Sequence, residues 1–178
     1  MFAHEVLIPK DRVAVLIGKD GETKTAIEEG TKTRLKVDSK EGDIFVSGED
    51  ALGLYAAREV VIAVGRGFNP ELAMLLLKQD YVFEVINLTE YTRSKEAMLR
   101  LKGRVIGKEG KSRRLIEELT EAYVSVYGKT ISIIGMPENG YAAKHAVESL
   151  LGGSPHSTVY KWLEKRRRDL KRKEMVTL

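Results

Sequence analysis

Apolar positions fall in short blocks, and their period changes from block to block. Phe2 to Ile8 is an apolar run ended by Pro9, which predicts a strand. Asp11 to Ile17 fits a short helix stopping at Gly18, and Glu22 to Glu29 a second helix with Gly30 as its stop. Leu35 and Val37 alternate with Arg34 and Lys36, the period of a half-buried strand. A turn at Ser39-Lys40-Glu41-Gly42 follows, and Ile44 and Val46 resume the alternation to close a hairpin. Asp50 to Val64 then reads as a helix ended by Gly65, with Leu52, Tyr55, Ala56, Val60 and Ala63 on one apolar face. Asn69-Pro70-Glu71 supplies a cap, a proline at the first position and an acid in the first turn. That start predicts a helix running through Leu75-Leu76-Leu77 onto a core.

The order strand, helix, helix, strand, strand, helix then recurs. Val82 to Leu88 reads as a strand, Ser94 or Lys95 to Leu101 as a helix, and a further helix runs to Leu119. Ala122 to Tyr127 and Thr130 to Ile134 form a hairpin around Gly128-Lys129, and Asn139 to Leu151 is a helix stopped by Gly152-Gly153. The recurrence holds residue by residue. Within Val15-Leu16-Ile17-Gly18-Lys19-Asp20-Gly21, the six residues from Leu16 match Val105-Ile106-Gly107-Lys108-Glu109-Gly110, with glycines 107 − 18 = 89 and 110 − 21 = 89 apart. The same offset joins Ile27 to Ile116, Glu28 to Glu117, Leu35 to Val124 and Val37 to Val126. After a two-residue deletion in the hairpin turn, Ile44, Val46 and Gly48 meet Ile131, Ile133 and Gly135. Such self-similarity marks a duplicated module. The signals divide the chain into 1–79, 80–153 and a basic C-terminal helix and tail over 154–178. Ser154-Pro155 starts that last helix, which carries Val159, Leu163 and Leu170 at helical spacing. No low-complexity linker separates the copies, so they are expected to pack together.

Composition adds bounds. The 178 residues are 43% hydrophobic, enough for a core, and 31% charged, above the roughly 25% of ordinary proteins. There is no cysteine, which removes disulfides, thiolate metal sites and cysteine catalysis. The first twelve residues lack the apolar core of a signal peptide, and no apolar run nears the ~20 residues that span a bilayer. The expectation is a soluble, cytoplasmic protein without a membrane partner. Net charge is only +4, but its distribution is uneven. Residues 100–114 hold seven basic side chains against Glu109 alone, while residues 11–25 hold three against three. Residues 161–173 hold eight basic side chains against Glu164 and Asp169.

The charge converges on Gly107-Lys108-Glu109-Gly110. Two glycines three apart free the backbone for positive φ and for close approach of a ligand. The helix that follows begins with unpaired, partially positive N–H groups, so the turn is a natural phosphate seat. Catalytic readings fail on spacing. A nucleotide-binding P-loop ending at Gly110-Lys111-Ser112 would need glycine where Val105 stands. Gly65-Arg66-Gly67 lacks the third glycine of a dinucleotide fingerprint, since Pro70 stands there. His4, His145 and His156 have no metal-ligand spacing to carboxylates, and Glu28-Glu29 and Glu117-Glu118 read as solvated helix faces. The reading has no catalytic residue, no metal and no cofactor.

Strand-helix-GxxG-helix-strand-strand-helix, with Val-Ile-Gly-x-x-Gly at the turn, resembles the type I KH domain. The resemblance implies an α+β fold of two tandem KH domains, each a three-stranded sheet packed against three helices, plus the basic C-terminal helix. KH domains clamp roughly four nucleotides of single-stranded RNA or DNA, with the GxxG loop against the backbone. Two further segments, Gly67 to Ala73 and Leu151 to Pro155 followed by a tyrosine and basic residues, look like one family within that class. It is the pre-ribosomal-RNA-processing KH family called Dim-two, or partner of Nob-one, in its short archaeal form. That resemblance implies small-subunit assembly and contact with the 3′ end region of small-subunit rRNA. It also implies a processing nuclease and a translation-initiation factor as partners. Matched to the motif, the expected RNA contacts are Arg104, Ile106, Gly107, Lys108, Glu109, Gly110, Lys111, Arg113 and Arg114, joined by Tyr160, Arg166 and Arg167 on the tail helix. Weaker contact is expected of Gly18, Lys19, Asp20, Gly21 and Lys24. Two departures stand out. Lys24 and Arg113 occupy a position that is often aliphatic in KH domains, and Asp20 and Glu109 put an acid inside each loop. Two functions stay open: an RNA-binding assembly factor, and a protein-interaction scaffold that touches RNA weakly.

Overall fold

The structure is a computed structural model that describes Met1 to Thr177; Leu178, the last residue of the expected tail, lies outside the described residues. The chain forms two compact units, Met1–Phe83 and Glu84 onward.

In the first unit, β1 (Phe2–Leu7) is followed by α1 (Lys10–Ile17), α2 (Glu22–Thr31), β2 (Thr33–Asp38), β3 (Asp43–Gly48) and α3 (Ala51–Gly65). The sheet is antiparallel in the order β1-β3-β2, so β2 lies at an edge. Register is set by pairs such as Leu35↔Val46 and Val6↔Ile44. Alternation then sends Val6, Leu35, Ile44 and Val46 to one face, where all are buried with Leu16 and Ile27. The other face of this sheet is open, with Arg34, Lys36 and Phe45 exposed.

The second unit repeats the plan with β4 (Val82–Asn87), α5 (Lys95–Ile106), α6 (Lys111–Thr120), β5 (Tyr123–Tyr127), β6 (Thr130–Gly135) and α7 (Pro137–Leu151). Its sheet order, β4-β6-β5, is the same. Here the central strand is buried at all six positions, on both faces. The core gathers Leu88, Val105, Ile116, Ile131, Ile133, Ala146, Val147 and Leu150. A final helix, α8 (His156–Thr177), adds Val159 and Leu163 to it. Burying two such side chains contributes about 3–6 kcal/mol, so α8 is part of the unit and not a removable tail.

Four details differ from the sequence reading. Gly30 does not stop α2, which runs to Thr31 and ends on Lys32 at φ 55°. Glu121, 89 residues later, ends α6 the same way at φ 57°. Gly30 instead lies under Leu77, whose Cδ1 would be 2.9 Å from a Cβ there and would have to shift to admit one. Of the face expected on α3, Val60 and Ala63 are buried but Leu52 and Tyr55 face solvent, and Leu54, Ala57, Val61 and Val64 complete the buried stripe. A nearly all-apolar helix offers several stripes of equal hydrophobicity, and only packing selects one. The helix expected from Pro70 to Leu77 is one α-turn, α4 (Pro70–Ala73), followed by a 3-10 turn over Met74–Leu77. Last, α5 does not end at Leu101 but continues to Ile106, so the GxxG turn starts directly at its C-terminus.

Candidate nucleic-acid interface

Each GxxG segment is a compact turn joining two helices, and the two turns have the same backbone. Gly107, Glu109 and Gly110 have φ of 74°, 56° and 75°; Gly18, Asp20 and Gly21 have 76°, 53° and 76°. Three of four positions are thus left-handed. A Cβ on Gly107 would also come within 2.7 Å of Ser112 Cβ and N, whereas Gly110 has open space around it. Gly107 is therefore fixed by conformation and by contact, Gly110 by conformation alone. Glu109 and Asp20 hold a left-handed conformation that costs non-glycine residues about 1 kcal/mol or more. The turn closes on itself through Gly110 N–H to Gly107 O at 3.2 Å and Gly21 N–H to Gly18 O at 3.3 Å.

The helix that leaves each turn has no side-chain cap at its N-terminus. Its first N–H groups stay directed at whatever lies against the turn, which suits an anion. Lys108, Glu109, Lys111 and Arg114 cluster there and are exposed. Arg114 also donates to Glu109 O at 2.7 Å and so braces the turn from outside. Ile106, half-buried at the end of α5, sits in the place that Ile17 takes in the first unit, where Ile17 lines an open cleft.

Other expected site residues are placed elsewhere. Arg104 leaves the loop: its guanidinium donates to Leu150 O at 3.0 Å and Ser154 O at 2.6 Å, binding the end of α7. In the first unit Arg12 does the same, donating to Val64 O and Phe68 O at 2.8 Å each. A cation on the last carbonyls of a helix is favourable, which gives both arginines a structural role. Arg113 pairs with Glu117 at 2.8 Å, and Lys24 with Glu28 at 3.7 Å. Those two glutamates are not merely solvated faces. Glu117 accepts the Val124 N–H at 3.0 Å and Glu28 the Leu35 N–H at 2.8 Å, each tying a helix to an edge strand.

On α8, Arg166 donates to Glu138 O and Asn139 Oδ1 at 3.2 Å each, and Arg167 lies 3.8 Å from Glu118. Glu118 is seven residues along α6 from Lys111, about 10 Å from the loop end of that helix, so Arg167 is paired away from the loop. Tyr160 is half-buried with its ring 5.9 Å from that of His156. The tail helix and the loop are two separate basic regions. Their separation was not readable from the charge count. Among the described residues, no three His, Asp or Glu side chains converge to hold a metal, and no helix is long and apolar enough to cross a membrane.

Residues 82–168 match the model of the eukaryotic-type KH domain, KH-domain type I, and residues 3–63 match the KH domain. The chain is 51% identical over 169 residues to the KH domain-containing protein MJ0443 of Methanocaldococcus jannaschii, covering 93% of this chain and 74% of that one. It is 30% identical over 129 residues to the pre-rRNA-processing protein PNO1 of Chaetomium thermophilum, 70% of this chain but 48% of that one. The chain thus spans about half the length of that relative. Among solved structures, Dim2p in the a/eIF2alpha-aDim2p-rRNA complex of Pyrococcus horikoshii is 48% identical, with a TM-score of 0.87 over 94% of this chain and 95% of that chain. Duplicated βααββα units, paired GxxG turns and these likenesses agree: the chain belongs to the Dim2/PNO1 family of tandem KH-domain proteins.

Proposed function

We propose that this protein is a single-stranded-RNA-binding ribosome-assembly factor. Its second KH unit seats the 3′ end region of small-subunit rRNA during pre-rRNA processing. One observation carries the assignment to that unit. The uncapped start of α6 is surrounded by Lys108, Lys111 and Arg114, whereas the equivalent start of α2 carries Glu22 in its first turn. Phosphate is drawn to the first arrangement, while in the second a carboxylate already occupies the favourable end of the dipole. Relatives named for pre-rRNA processing and solved with rRNA support the RNA class. The role is binding without chemistry of its own, and recruitment of a processing nuclease rests on the family resemblance alone.

The test is binding to short oligonucleotides of the rRNA 3′ end over a salt series. Three cations neutralising phosphates of a single strand give a slope of log K against log salt near −2. Unrelated sequences should bind more weakly at equal salt. A slope near zero, or equal affinity for all sequences, would sink the proposal. A relative solved with a/eIF2alpha favours a second, additional reading in which a translation-initiation factor docks on the same chain. Co-sedimentation with that factor, with and without RNA, tests it.

A further inference from the structure

Beyond the second GxxG loop, we infer that the first unit holds a separate single-strand site, in which Phe45 on the open sheet face stacks an unpaired base. The observation is a cleft of about 1100 Å³ that starts at the first GxxG turn, passes the edge strand β2 and reaches the far side of the sheet. Ile17, Gly21 and Lys24 line one end, and Arg34, Lys36 and Phe45 the other. The surface turns the edge of the sheet and does not stop at the groove between helix and strand.

Phe45 is the centre of this second part. It sits in the middle of the central strand, flanked by Ile44 and Val46, which are fully buried, yet it is itself 42% exposed. Cross-strand neighbours are Lys36 on β2 and Glu5 on β1, and Arg34 is diagonal to it. Among the described residues, Arg34 and Lys36 make no ion pair. An exposed aromatic ring with exposed cations on one side offers a π-face for a base and countercharge for its phosphates. The carboxylates in reach are Glu28, Glu29, Glu5 and the opposed pair Asp38 and Asp43, next along the same face. Glu28 is held by Lys24 and the Leu35 N–H, and Asp38 by the Lys40 and Glu41 N–H groups, which leaves Arg34 and Lys36 opposed by Glu5, Glu29 and Asp43 and makes ring stacking the main attraction. That balance predicts a site weaker than the second loop but real.

The duplication provides a built-in contrast. With the repeat offset, Phe45 corresponds to Ser132, Arg34 to Tyr123 and Lys36 to Ser125. Ser132 is fully buried. Tyr123 is also an exposed ring, but it stands on the edge strand at the Arg34 position, and the places of Arg34 and Lys36 hold no cation in the second unit, so the Phe45 arrangement belongs to the first unit alone.

The experiment titrates the full chain with uridine-rich RNA of about six nucleotides, carrying 5-iodouridine, and reads stoichiometry by calorimetry and cross-link position by mass spectrometry. Expected are two unequal sites, with a cross-link at Phe45 from the weaker one. Phe45→Leu should weaken that site about tenfold, by loss of stacking, and Phe45→Tyr should retain it. The pair Arg34→Glu and Lys36→Glu should weaken it as well, while leaving the tighter site unchanged. Lys108→Asp with Glu109→Asp should do the opposite and remove the tighter site only. A single site in the parent protein overturns the inference. So does a weaker site that Phe45→Leu and the charge reversals leave intact, or a cross-link confined to the second unit. Failure of the second-loop reading has a different signature, namely a tighter site that survives the aspartate pair.

Discussion

The two GxxG turns agree within a few degrees in every left-handed φ, yet they present different chemistry. From Gly107 to Arg114 the second carries Lys108, Lys111, Arg113 and Arg114 against Glu109. From Gly18 to Thr25 the first carries Lys19 and Lys24 against Asp20 and Glu22. A turn's backbone is set by its glycines and by the helices it joins. Its affinity for phosphate is set by side chains that the backbone does not constrain. Duplication preserved the scaffold and left the charge free to diverge.

The largest effect should come from charge at the loop. Lys108→Asp with Glu109→Asp is expected to weaken rRNA binding by about 100-fold or more, because removing a cation and adding an anion beside phosphate each cost on the order of 1 kcal/mol or more. Lys19→Asp, beside the existing Asp20, should cost only a few-fold. Fluorescence anisotropy on folded variants decides it, and equal losses would erase the distinction between the units.

Next are the glycines, where the units should behave alike. Gly107→Ala forces a Cβ against Ser112 at positive φ, and Gly18→Ala forces one against Thr23, with the Thr23 N at 2.8 Å. Each should lower stability by about 2–3 kcal/mol in urea unfolding. A much smaller loss in one unit would mean that its turn can relax and that the two backbones are not equivalent.

Arg104→Ala and Arg12→Ala should each cost about 2 kcal/mol, since each removes charged hydrogen bonds to one carbonyl at a helix end and one just past it. For Arg104 the informative readout is RNA affinity of the folded variant, which should stay unchanged. A selective loss of binding without loss of stability would return Arg104 to the loop.

Glu117→Gln probes the arginine that the salt bridge holds. Released from its partner 2.8 Å away, Arg113 should turn to RNA and raise affinity by a few-fold, while stability falls by about 1 kcal/mol.

The smallest effect separates the last helices of the two KH units. Half-buried Glu59 in α3 stands where α7 carries the exposed His145. Burial pushes the Glu59 carboxyl above the usual carboxylate range, and Arg58, 3.1 Å away, only partly opposes this. A raised folded-state pKa gives stability that is complete below the ordinary carboxylate value and is lost as pH rises through the raised one. Glu59→Gln should therefore stabilise the protein modestly at neutral pH and have no effect in acid. Urea midpoints against pH would show the two curves parting upward; identical curves would mean that Glu59 is solvated.

Much of this was legible in the sequence because the relevant forces are local. The 89-residue offset, the period-two strands and the positions of the helices follow from backbone preferences and alternation within a few residues. Glycine spacing likewise fixes the turns. Tertiary structure decided what a side chain is for. Arg104 and Lys108 are both basic residues of one short stretch, but the first faces the carbonyls at the end of α7 and the second faces solvent. Glu117 looked like a surface acid until β5 was laid beside α6 and gave it the Val124 N–H. Leu52 and Leu54 are alike in hydrophobicity, and only the sheet beneath α3 chose between them. Charge and hydrophobicity are properties of a residue, whereas partnership and burial are properties of what the folded chain brings next to it. The first kind is written along the sequence, and the second exists only after distant segments meet.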